Sequence, residues 1–274
     1  MKLKSILLSA AFLCTIAVGA QEPVTIQGPN GKISAIVVKP EIKAEQKVPM
    51  VIICHGFTGN KNEPLLNAIS DSLRNDGIAS IRFDFDGHGQ SDGKFEDMTV
   101  PKEIEDAKAV YDYVASLPYV SQVGIAGHSQ GGVVASMTAG ILTDKDIKAV
   151  ALLAPAVVLR DDALRGMCMG KYYNPHDVPA EGVELWGGRV LGRDYIRSAQ
   201  TLPIYATSAY YHGPALIVHG TYDVVVPYTY GERYHNMWDC SEYYPIDGAD
   251  HGFSGHTAYV AGLVANFMNK ELKK

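Results

Sequence analysis

A serine hydroxyl attacks a carbonyl well only when a base takes its proton and an acid orients that base. Three segments of this chain supply such residues in order. "GHSQG" holds Ser129, "HGTYDVVVP" holds Asp223, and "GADHGF" holds His251. Glycines crowd the serine at Gly127, Gly131 and Gly132, where the apolar run "QVGIAG" gives way to the helical run starting at Gln130. This is the G-x-S-x-G pattern of a sharp strand-to-helix turn that lifts a serine Oγ clear of a sheet. Its position at a helix amino end also favours developing negative charge. A glycine-rich turn that merely joins strand to helix is the structural alternative, and the flanking strand and helix favour the chemical one.

Asp223 and His251 each fall in a loop after an apolar strand, so both loops open at the sheet edge that presents Ser129. The other candidates fit less well. His219 ends its strand and reads as a structural hydrogen-bonding residue. His235 lies within a helix, His256 begins one, and His128 reads as packing that points away from the serine. His176 and His212 read as surface residues, and Asp247 and Asp250 are too near His251 in the chain to hold it from behind. A charged oxygen formed at the serine needs two backbone N–H groups. Gln130, directly after the serine, supplies one. Phe57, in the "HGFTG" loop after the strand "VPMVIIC", supplies the other.

The elements that must position these groups alternate along the chain. Buried strands at 48–54, "IASIRF", "QVGIAG", "IKAVALLAP" and "PALIVHG" are separated by helical stripes, after an opening antiparallel pair turned by "GPNGK". This predicts an α/β fold with a mostly parallel, doubly wound sheet. The rhythm breaks at about 156–207, a stretch of mixed charge and aromatics with no clean period. It is expected to be an inserted lid over the carboxyl ends of the strands. Fifty residues are few for an independent core, so residues 21–274 are expected to form one domain.

Residues 1–20, "MKLKSILLSAAFLCTIAVGA", have two lysines, a short apolar stretch and a small-residue end. That is the pattern of a signal peptide cleaved near Ala20, with the mature protein periplasmic or secreted and no stable membrane anchor. Its removal takes away Lys2 and Lys4 and no acid, changing the net charge from −6 to −8. An acidic chain without a basic stripe is a poor nucleic-acid binder. Of the remaining cysteines, Cys54 is expected to be a small buried apolar residue. Cys168 and Cys240 are the two that an oxidising compartment would allow to pair. No Cys/His spacing suggests zinc, and the serine chemistry needs neither metal nor organic cofactor.

Taken together, "HGFTGNKNE", "DFDGHGQSDGKFEDMTV", "GHSQGGVVASM", "LLAPA", "DYIRSAQTLPIY", "HGTYDVVVP" and "GADHGF" resemble the bacterial cinnamoyl (feruloyl) esterases of the α/β-hydrolase superfamily. The resemblance runs from about residue 48 to the C-terminus. It implies an α/β-hydrolase fold and a secreted serine carboxylesterase acting on feruloyl, p-coumaroyl and caffeoyl esters of small molecules or oligosaccharides. It further implies a lid that holds the aromatic ring, with Asp162 and Tyr195 approaching the ring hydroxyl and Asp161 a close second to Asp162. Where relatives can carry a glutamine shortly after that aspartate, this chain has "Gly166-Met167-Cys168-Met169-Gly170". The alternatives are an acetyl-xylan or short-chain esterase, a dipeptidase-like serine hydrolase, or a non-catalytic binding module. The oligomeric state, homodimer included, is left open by the sequence.

Overall fold

The computed structural model describes residues 21–274; the expected signal peptide lies outside the described residues. An eight-stranded sheet runs through the molecule. Its strands are β1 (Gln21–Gln27), β2 (Lys32–Val38), β3 (Val48–Cys54), β4 (Ala79–Phe83), β5 (Val120–His128), β6 (Ile147–Leu153), β7 (Ala215–Gly220) and β8 (Ser241–Ile246). The spatial order is β1-β2-β4-β3-β5-β6-β7-β8. β1 pairs antiparallel with β2, and β2 with β4; every other pairing is parallel. This is the mostly parallel, doubly wound α/β sheet that the alternating pattern predicts.

Every residue of β3 is buried because helices cover both faces of the sheet. Val51 and Ile53 point to the side packed by α1 (Pro64–Asn75) and α8 (Thr257–Leu272), through Leu66, Ile69, Val260 and Val264. Met50, Ile52 and Cys54 point to the side covered by α2 (Val100–Ser116) and α3 (Gln130–Asp146), through Val110, Val114 and Val133. Thr99 caps α2 by accepting from the Lys102 amide at 3.3 Å, which supplies one of the acceptors that a helix start lacks.

The chain steps from β3 to β4 on one side and then returns to place β5 on the other. The winding direction therefore reverses between β3 and β5, and a crevice opens at their carboxyl ends. Cys54 pairs with Gly127 at the end of that ladder, so the loops carrying Phe57 and Ser129 begin side by side.

Between β6 and β7 the chain forms α4 (Val158–Arg165), two ladders of two-residue strands, α5 (Arg193–Thr201) and α6 (Ile204–Ser208). The stretch without a clean period is thus built of short helices and hairpins. α5 is amphipathic all the same, burying Tyr195, Ile196 and Ala199. The helix α7 (Thr229–Met237) follows β7. Among the described residues no helix is long and apolar enough to cross a membrane. All three described cysteines are free: Cys54 is buried, Cys168 lies in the insertion, and Cys240 is exposed just before β8.

One face of α2 carries buried acids as well as apolar groups. Asp106 is fully buried and accepts from the Asp86 amide at 2.8 Å. Burial raises its carboxyl to about 6, against the opposing effect of that hydrogen bond. The folded state therefore holds the proton more tightly than the unfolded chain. The resulting stabilisation is full below the unfolded carboxyl pKa and is lost as pH rises through about 6. Asp106→Asn keeps an acceptor for the Asp86 amide and removes the charge. Its stability relative to wild type should rise by about 2–3 kcal/mol between pH 4 and pH 7, measured by urea unfolding at each pH. A constant difference across that range would refute the buried-charge account.

Candidate active site

Ser129 sits between β5 and α3 with φ 57° and ψ −122°, a conformation that L-residues rarely adopt. Tight packing imposes it. A Cβ on Gly127 would lie 2.0 Å from the Gly131 carbonyl oxygen, and one on Gly131 would lie 2.3 Å from the His55 carbonyl oxygen. Only glycine allows the strand, the turn and the helix to approach so closely.

The structure brings the three predicted side chains into line. His251 Nε2 stands 2.8 Å from Ser129 Oγ, and His251 Nδ1 stands 2.7 Å from Asp223 Oδ2. Asp223 Oδ1 accepts from the amides of Val225 and Val226 at 2.9 and 2.7 Å. Burial opposes ionisation of Asp223. Hydrogen bonds from His219, His251 and the Val226 amide outweigh it, holding the carboxyl well below the usual carboxylate range. An ionised Asp223 fixes the proton of His251 on Nδ1 and leaves Nε2 free to accept from the serine.

Two other histidines support this line. His219 directs Nε2–H at the Val226 carbonyl, 2.9 Å away, with Asp223 Oδ2 at 3.2 Å. The structural hydrogen bonding expected of His219 thus reaches Asp223 itself. His128, expected to be packing alone, donates from Nε2 to the His251 carbonyl oxygen at 2.8 Å, with the two rings 5.0 Å apart. Burial and the neighbouring His251 ring pull His128 down to about 4, so it is a neutral donor at neutral pH.

Neither the Phe57 nor the Gln130 amide is bonded to another protein group among the described residues. Both residues line one cleft with Ser129. The loop carrying Phe57 is pinned from beneath. Lys61 forms a buried ion pair with Asp84, the Lys61 amide donates to Asp84 Oδ1 at 2.7 Å, and Arg82 donates to the Lys61 carbonyl at 2.5 Å. His55 also holds this loop: its Nδ1–H meets the Gly56 carbonyl at 2.8 Å and its Nε2 accepts from the Phe85 amide at 3.2 Å.

The cleft opens to solvent and continues from Ser129 under the insertion. Its walls include Leu159, Met167, Cys168, Tyr173 and Leu191. Such an apolar slot with a few polar groups is the usual form of a small-molecule site. Asp162 and Tyr195 both face it. Asp162 Oδ1 is buried and has no partner among the described residues, and burial raises its carboxyl against the pull of Arg165. Asp161 points elsewhere and accepts from the Tyr230 hydroxyl at 2.6 Å, which separates the two neighbouring acids. Tyr195 is 5% exposed and donates its hydroxyl to Gln130 Oε1 at 2.7 Å, while Gln130 Nε2 donates to both oxygens of Glu103 at 2.9 and 2.8 Å.

The sequence reading missed Glu103, although an acid within the apolar stripe of α2 was a visible anomaly. It also missed Cys168 as a cleft wall. Burial pushes that thiol up to about 12, so it packs as an uncharged group.

The sheet, the strained serine and the cleft define a serine hydrolase of the α/β-hydrolase fold, an ester hydrolase by its relatives. Residues 45–174 match the family described as serine aminopeptidase, S33. Est1E from Butyrivibrio proteoclasticus, solved with ferulic acid bound, is similar over 92% of this chain and 100% of its own, at 35% identity and a TM-score of 0.87. A second Est1E structure gives 32% identity, a TM-score of 0.83, and 92% and 99% coverage. Among curated relatives, 86 residues are 36% identical to the Bos taurus mitochondrial palmitoyl-protein thioesterase ABHD10. That match spans 31% of this chain and only 27% of the relative. The chain belongs to the bacterial cinnamoyl/feruloyl esterase family of the α/β-hydrolase superfamily.

Replacing His128 by Phe removes the donor to the His251 carbonyl and slackens the loop that carries the imidazole. Ester turnover by His128→Phe should fall by about 1–2 kcal/mol in kcat, with KM little changed, in steady-state assays. An unchanged kcat would mean that His128 only packs.

Proposed function

We propose that this chain is a secreted serine carboxylesterase that cleaves hydroxycinnamoyl esters through an acyl-enzyme. The observation that carries the reading is the aligned Ser129–His251–Asp223 set at an apolar cleft lined also by Asp162, whose buried Oδ1 has no partner among the described residues. The ferulic acid bound to Est1E supports the substrate class. The pattern of residues 1–20 supports export, with cleavage near Ala20.

In this mechanism Ser129 Oγ attacks the ester carbonyl while its proton passes to His251 Nε2. The amides of Phe57 and Gln130 hold the charged oxygen, and the amino end of α3 adds its dipole. His251 then protonates the departing alcohol. Water, deprotonated by the same imidazole, frees the acid and restores Ser129. Asp223 keeps the imidazole in the required tautomer throughout and never takes the proton itself.

The cleft receives the acyl half. A flat ring packs against Leu159, Met167 and Leu191, and its hydroxyl donates to Asp162 Oδ1, with the Tyr195 oxygen as a second acceptor.

Ser129→Ala should retain the fold and lose several orders of magnitude in kcat, together with labelling by a fluorophosphonate probe. Persistent labelling would remove Ser129 from the role. Asp162→Ala should lower kcat/KM for p-coumarate and ferulate esters by about 1–3 kcal/mol and hardly affect unsubstituted cinnamate or acetyl esters. Methyl ferulate assayed beside acetyl and butyryl p-nitrophenyl esters decides the substrate class. A preference for the acetyl ester would favour a short-chain esterase.

A further inference from the structure

Glu103 lies on α2, 1% exposed, and is not part of the cleft wall. No cation pairs with it among the described residues, and both its oxygens accept from the same group, Gln130 Nε2. An amide nitrogen only donates, so facing Glu103 it must turn Oε1 the opposite way. There Oε1 meets the Tyr195 hydroxyl at 2.7 Å. An amide oxygen only accepts, so Tyr195 directs its single proton inward, and its oxygen presents lone pairs alone to the cleft. Asp162 lines the same cleft, and its buried Oδ1 has no partner among the described residues, which makes it a second acceptor beside Tyr195.

We propose that Glu103 is a specificity-determining positioning residue: acting through Gln130, it fixes Tyr195 as an acceptor, so the cleft selects acyl groups bearing a free hydroxyl donor over their O-methyl ethers. This rests on the assignment of the cleft to the acyl half of the substrate. Glu103 touches no reacting atom. It sets the direction of a hydrogen-bond chain that runs from the core helix to the insertion.

Removing the acceptor removes that constraint. In Glu103→Met nothing accepts from the Gln130 NH2. Gln130 is then free to turn over, present its nitrogen to the Tyr195 oxygen, and release the tyrosine proton to point into the cleft. Tyr195 then donates, and an ether oxygen becomes an acceptable partner.

Binding reads this without turnover. In the Ser129→Ala background, methyl p-coumarate and methyl 4-methoxycinnamate are titrated calorimetrically, with methyl 4-ethylcinnamate as the control for bulk. The parent should prefer the hydroxyl ester over the ether by about tenfold, the scale of one buried hydrogen bond. Adding Glu103→Met should narrow that ratio by about threefold, with Asp162 still present as an acceptor. Gln130→Met, which removes the Oε1 acceptor and keeps the length, should act in the same direction. Because each ratio is taken within one protein, a general loss of affinity cancels. The proposal fails if the parent binds both esters equally, or if both variants melt like the parent and keep its ratio. Discrimination in binding by an enzyme that hydrolyses no aryl ester would defeat the proposed function and leave the role of Glu103 standing.

Discussion

Everything at the site depends on how closely the end of β5 is packed against α3 and the end of β3. With no side chain at Gly127 or Gly131, the helix starts almost against the strand, and Ser129 must take the left-handed turn. Strain of this kind persists only where the surroundings leave no alternative. Here the Ser129 amide donates to the Leu153 carbonyl, and the Ser129 carbonyl accepts from the amides of Gly132 and Ala156. The serine backbone is thus tied to β6 and to the start of the insertion as well as to its own helix. One turn thereby registers the Ser129 hydroxyl, the amide of Gln130 and the mouth of the cleft together.

Charge is handled differently on the two sides of that turn. On the Asp223 side a single buried carboxylate is surrounded by donors: two amides, His251 and His219. Ionisation is therefore favourable there and the imidazole it faces is polarised. On the α2 side Glu103 and Asp106 are buried with few donors each, and burial raises both carboxyls. Such groups cost stability when charged. Their cost is consistent with a role in orienting Gln130 and the Asp86 loop rather than in holding the fold.

The sheet and the meeting of Ser129, Asp223 and His251 were legible because both rest on local patterns. Continuous apolar runs mark strands buried on both faces, and the glycines around Ser129 and the loops holding Asp223 and His251 have few alternative readings. The insertion was legible as an interruption but not as α4, α5 and α6. Its helices are short and its ladders two residues long, so no period persists long enough to be read. The roles of His128, His219 and Glu103 were invisible for another reason. Each depends on a partner more than one strand or helix away, or on which nitrogen faces it, and spacing carries neither. The choice between Asp161 and Asp162 came only from the Tyr230 hydroxyl, which occupies the first.

The reversal of winding between β3 and β5 also bears on how the protein acquires its activity. The groups that meet at the crevice come from widely separated parts of the chain: His251 joins Ser129 across 122 residues, and Asp223 across 28. Closing loops of that length is entropically slow compared with forming any single helix or hairpin. The hydroxyl, the imidazole and the carboxylate are ordinary, unreactive side chains until β7 has docked on β6 and β8 on β7. The alignment of Ser129 with His251 is therefore a property of the completed sheet, and a chain still emerging from synthesis does not yet hold it.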